Sequence, residues 1–148
     1  VKTISLTYKK MPFLRIAPIC NGKIYVAPRS YQGEEPGKLD IPMEDYIYAC
    51  KTDTDKYAKE VENKYSNHIT GQPEPRFSLK HLVKETNGVK KNIMLYILPL
   101  NDEEQIHFTG GKFVTPEEIE MNSAQYSSFL KEEVDHLNIV AQMWEEFK

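Results

Sequence analysis

The sequence has no apolar run of the about 18 consecutive residues that a membrane-crossing helix needs. Its longest apolar stretch, Ile93 to Leu100, contains Pro99 and suits a buried strand. No signal-peptide pattern is visible, so direct insertion into a membrane is not expected and a cytoplasmic setting is. Cysteine is scarce. Cys20 and Cys50 lack metal-like spacing and read as reduced, buried thiols, although the sequence leaves a Cys20–Cys50 disulfide open. No long block of one charge sign occurs and the net charge is −3, which argues against a nucleic-acid or anionic-membrane surface. The four histidines, His68, His81, His107 and His136, are scattered, with no paired metal-binding spacing. Nor is there a P-loop, a G-x-G-x-x-G turn or a Ser-His-Asp pattern.

What remains is an ordinary globular composition, 40% apolar and 28% charged over 148 residues. That length fits a single domain, 1–148, with a real core. The first residue is Val1 rather than Met, which reads as a processed chain or a domain of a longer protein, including the cytoplasmic part of a membrane-anchored one.

Turn residues divide the chain. Phe13 to Cys20 and Lys23 to Pro28 are β-prone runs separated by Asn21-Gly22, a pair suited to the positive φ values of a type I′ hairpin. The same device, Asn87-Gly88, separates Phe77–Glu85 from Val89–Leu100. A further run, Ile106 to Val114, pauses at Gly110-Gly111, where a bulge or bend is expected. Between the hairpins a helix is predicted, capped by Thr52 or Asp53, with Tyr57, Ala58, Val61 and Tyr65 on one face. Thr115-Pro116-Glu117-Glu118 reads as the capped start of a short helix to about Met121. A longer helix from about Ser123 carries Leu130, Val134, Leu137, Ala141 and Trp144 as a stripe that packs on the domain. Strands on either side of a helix, with a helical tail, imply an α+β or α/β/α sandwich with a mixed sheet.

The order of these elements resembles the Nudix hydrolase fold, and local motifs agree. Ile16 to Ser30 is similar to the family's opening hairpin. Leu39-Asp40-Ile41-Pro42 resembles the lead-in to the Nudix box, and Phe113-Val114-Thr115-Pro116-Glu117-Glu118-Ile119 resembles the start of the family's second helix. The resemblance spans residues 13 to 121 or so. It implies a loop–helix–loop, the Nudix box, whose glutamates hold magnesium or another divalent ion. Such an ion shields the substrate's phosphates and lowers the pKa of the attacking water.

The box itself departs from the family's pattern. Met43 and Glu44 stand where two glycines follow the lead-in, and Cys50-Lys51-Thr52-Asp53 supplies no first glutamate. With a one-residue insertion upstream, Lys59-Glu60-Val61-Glu62-Asn63-Lys64 aligns with Arg-Glu-aliphatic-x-Glu-Glu. Lys59 then replaces the arginine, Glu60 is kept, and Asn63 and Lys64 replace the paired glutamates. A helix ion pair between Glu60 and Lys64, one turn apart, is expected. The leading expectation is a non-hydrolytic Nudix-fold domain with no catalytic residue and no resident metal. It would bind a nucleotide-like small molecule, a protein partner or other domains of a longer chain. Arg15, Arg29, Glu44 and Tyr46 are the candidate ligand-binding residues, in a pocket beside the box helix. One alternative is an atypical hydrolase of nucleoside diphosphate-linked substrates using magnesium or manganese. Its metal site would be relocated to Glu44, Glu60 and Glu62 or to the acidic turn Asp102-Glu103-Glu104. Another is a structural appendage of a multidomain or membrane-anchored protein. Glu117, Glu118 and Glu120 suit a helix start better than a metal cluster. Arg76, Lys80, Lys84, Lys90 and Lys91 read as a solvated hairpin.

Overall fold

A computed structural model describes residues 13–46, 54–84 and 90–148. Seven strands form one mixed sheet with the path β3-β2-β1-β6-β5, and β4 and β7 join it at β1 and β2. The strands are β1 (Phe13–Cys20), β2 (Lys23–Pro28), β3 (Leu39–Asp40), β4 (Met43–Tyr46), β5 (Arg76–Lys84), β6 (Lys90–Pro99) and β7 (Lys112–Val114). The helices are α1 (Thr54–Lys64), α2 (Pro116–Met121) and α3 (Ser128–Glu146). None of the described helices is long and apolar enough to cross a membrane.

The hairpin at Asn21-Gly22 forms as expected, with φ of 55° and 74° at the two residues. β5 and β6 pair antiparallel up to Lys84 opposite Lys90, while the Asn87-Gly88 turn lies outside the described residues. So do Cys50 and the proposed caps Thr52 and Asp53. Cys20 is a buried free thiol.

Strand alternation assigns β1 to two cores. Phe13, Ala17 and Ile19 join Phe129, Leu130, Val134 and Leu137 of α3 on one face. Leu14, Ile16 and Cys20 join Ala58 and Val61 of α1 on the other. Each large apolar side chain buried this way contributes about 1.5–3 kcal/mol relative to exposure. The stripes expected on α1 and α3 are therefore the packed ones, with Tyr57, Tyr65 and Trp144 at their margins.

Two boundaries differ from the sequence reading. Ile106 to Val114 is not one strand: Ile106 makes an isolated bridge to Ile69, Gly110 turns the chain at φ 74°, and only Lys112–Val114 pairs with β2. The last helix starts later than Ser123, because residues 123–125 form a separate 3-10 turn. Ser127 then caps α3 by accepting a hydrogen bond from Leu130 N at 3.1 Å. Thr115 caps α2 as expected, accepting from Glu118 N at 3.2 Å.

Candidate functional site

One edge of β1 is shared by two strands. Ile19 and Cys20 pair with β2, whereas Phe13 to Ile16 pair with β4. Residues of both strands line a cavity of about 610 Å³ at this parting. It runs from Arg29, Glu44 and Tyr46 to Asp45, Tyr65, His68 and Phe108. Three of the four candidate ligand residues, Arg29, Glu44 and Tyr46, thus come together at one cavity.

Arg15 lies behind them rather than at the cavity wall. It stands opposite Glu44 in the β1–β4 pairing, on the α3 face, and is fully buried. Its five N–H donors are all used. Nε donates to both oxygens of Glu133 at 3.1 and 2.9 Å. Nη1 donates to Asp40 at 3.1 Å and Glu44 at 2.7 Å, and Nη2 to Asp40 at 2.8 Å and Glu133 at 2.7 Å. No donor remains for a ligand, so Arg15 is a structural residue. Burial alone would disfavour its charge, but Asp40, Glu133 and Glu44 together hold its pKa well above the ordinary arginine value.

The same cluster sets the cavity floor. Arg29 Nη1 reaches Asp40 and Glu44, and its Nε donates to the Glu34 carbonyl at 2.8 Å. Burial works against ionising Asp40, yet the Arg15 and Arg29 guanidiniums hold its carboxyl below the usual range. Glu44 moves the other way. Burial and the neighbouring Asp40 raise it, against the pull of the two arginines. His81 Nε2 lies 3.0 Å from Glu133 and completes the cluster on its far side. Phe129 has the Arg15 and Arg29 guanidiniums 5.2 and 5.4 Å from its ring centroid.

Asp40, Glu133 and His81 were not among the expected site residues. A signal for Glu133 existed: it stands within the apolar stripe of α3, three residues after Leu130 and four before Leu137. Arg15 likewise interrupts an apolar strand. Two opposite charges on two buried faces are complementary only if those faces meet.

The α1 residues take different places from those expected. Lys64 forms an ion pair with Asp45 of β4, not with Glu60. Register explains this, since Asp45 follows Glu44 and points to the α1 face. Glu60 is exposed. Lys59 reaches Glu62 at 2.9 Å and the Pro73 carbonyl at 3.4 Å, away from the main cavity, and with Asn63 lines a second hollow of about 460 Å³. The acidic turn is used locally, with Asp102 capping residues 103–105. Among the described residues no group of three or more His, Cys, Asp or Glu is placed to share a metal ion. Among the described residues the donor set therefore does not fit the divalent ion that the fold family implies. Of the hairpin cations, Arg76 lies 5.5 Å over the Trp144 ring. Lys91 is only 10% exposed, against the rings of Phe13, Tyr46 and Phe129, so it is not a solvated residue.

By sequence, the chain matches no family model and no curated protein. By structure, it is similar to a Nudix hydrolase from Nitrosomonas europaea at 11% identity and TM-score 0.58, covering 88% of this chain and 90% of that one. It is also similar to the C. elegans Ap4A hydrolase at 14% identity and TM-score 0.55, covering 90% and 98%. A Deinococcus radiodurans protein superposes at TM-score 0.62 and 15% identity, covering 87% and 83%. At these identities what is shared is the architecture: the chain has a Nudix-like fold.

Proposed function

We propose that this Nudix-fold domain binds a ligand in the β2–β4 cleft without hydrolysing a diphosphate, and acts as a regulatory or interaction module. The observation that carries this reading is the ion pair of Lys64 with Asp45, a residue that lines the cleft. On the alignment with the Nudix box, Lys64 stands where a metal-binding glutamate would be. An ammonium at that point repels a divalent cation and occupies a carboxylate that could otherwise serve it. Loss of hard oxygen ligands removes the means of activating water and shielding phosphates.

The test is turnover. Nucleoside triphosphates, nucleotide sugars and dinucleoside polyphosphates are incubated with the protein and magnesium or manganese, and released phosphate and pyrophosphate are measured. No release above a protein-free control is expected. Metal-dependent release that disappears in Glu60→Gln or Glu62→Gln would establish the hydrolase reading instead.

A further inference from the structure

We propose that the β2–β4 cleft is built for a flat heteroaromatic ligand carrying at most one negative charge, a nucleobase or nucleoside rather than a nucleoside diphosphate. This rests on the ligand-binding reading above and concerns the same cavity.

Ring surface is the first argument. Tyr46 is 40% exposed at the cleft, with its ring centroid 4.8 Å from that of Phe13. His68 is exposed and lies parallel to Phe108, with centroids 4.0 Å apart and planes 9° apart. Tyr65 is held in place by donating its hydroxyl to the Glu44 carbonyl at 3.1 Å. Rings fixed by such contacts offer stacking area at little entropic cost.

Charge is the second. Carboxylates of Glu34, Glu44 and Asp45 line the cavity, and Asp40 lies behind it. The cations nearby are committed: Lys64 to Asp45, Lys91 to Glu34 at 3.8 Å, and Arg29 to Asp40 and Glu44. A diphosphate would bring further negative charge to a site with no excess positive charge to meet it.

Polar recognition is the third. Arg29 Nη1 and Nε are occupied, while Nη2 has no hydrogen-bond partner among the described residues. It can serve one acceptor, such as a ring carbonyl. His68 Nδ1 is 2.9 Å from the His107 carbonyl, which can only accept, so Nδ1 carries the proton. That tautomer presents Nε2 as an acceptor for an exocyclic amine.

The experiment is calorimetric titration with adenosine, guanosine, cytidine and uridine and the 5′-mono- and diphosphate of each, with and without magnesium. At least one nucleoside is expected to bind, its diphosphate about tenfold or more weakly, with no gain from magnesium. Tyr46→Ala should weaken the nucleoside about tenfold, whereas Tyr46→Phe, which keeps the ring against Phe13 and Lys91, should leave binding within about twofold. Failure of every nucleoside to bind, tighter binding of the diphosphate, a gain with magnesium, or an unaffected Tyr46→Ala variant would each overturn the proposal. Tight diphosphate binding without turnover would overturn this inference alone, whereas turnover would overturn the non-hydrolytic reading beneath it.

Discussion

Two sets of ion pairs lie on opposite faces of the same strands, and their surroundings make them different things. On the α3 face, Arg15, Asp40 and Glu133 are at most 1% exposed and saturate one another. On the α1 face, Lys64 and Asp45 pair with side chains 58% and 30% exposed, and Lys59 is 47% exposed beside a nearly buried Glu62. Water screens the second set, and such pairs contribute about 0–1 kcal/mol. The first set cannot be screened, so losing one member strands the others in a low-dielectric core. A charge buried in β1 or α3 thus reports packing, whereas exposed charges such as Lys59 and Lys64 on α1 carry little of the fold.

Arg15→Met should show the largest effect. It removes the cation that Asp40 and Glu133 share, leaving Asp40 to Arg29 and Glu133 to His81, and is expected to cost about 3–5 kcal/mol by urea unfolding. If that variant does not fold, Arg15→Lys serves. It keeps the charge but offers three donors in place of five, so a smaller loss is expected. A loss below about 1 kcal/mol for either would place the cluster in the same class as the exposed pairs.

Asp40→Asn comes next, with about 2 kcal/mol expected at neutral pH for lost charge-assisted hydrogen bonds. Its pH dependence carries a sign. Because the folded protein holds Asp40 below its ordinary value, its stabilisation is complete above about pH 4 and is lost as pH falls through the folded pKa. Glu44, raised on folding, acts oppositely: its contribution is present at low pH and fades as pH rises through its folded pKa. Unfolding midpoints measured from about pH 5 down to about pH 2 should fall less steeply in Asp40→Asn than in the parent protein. An identical slope would show that Asp40 is not the group responsible.

The smallest expected effect is Lys64→Ala, below about 1 kcal/mol, with a coupling to Asp45→Ala of similar size in a double-mutant cycle. A larger coupling would mean that the cleft shields this pair far more than its exposure suggests.

Much of the architecture was legible from local chemistry. Asn21-Gly22 specified a hairpin because its two residues tolerate positive φ. Thr115-Pro116 specified a helix start because hydroxyl and ring satisfy the first turn. The candidate site was legible only in part: Arg29, Glu44 and Tyr46 meet at the cleft, while Arg15 is buried behind it with every donor used. A period-two pattern shows that Arg15 alternates with its neighbours but not that Asp40, Glu44 and Glu133 close over it. Lys64 was misjudged for a related reason. Spacing along α1 offers Glu60 as a partner, but Asp45 arrives from another element.

What local sequence specified was the set of elements, and the residues that α1 carries on its faces. Hydrogen bonding and backbone propensity act over a few residues, so they can be read along the chain. Only tertiary structure decided that Arg15, Asp40 and Glu133 neutralise one another, that Lys64 turns to Asp45, and that β2 and β4 part at a ring-lined cleft. Those outcomes depend on which faces meet, and ion pairing through a buried core acts between residues up to 118 positions apart.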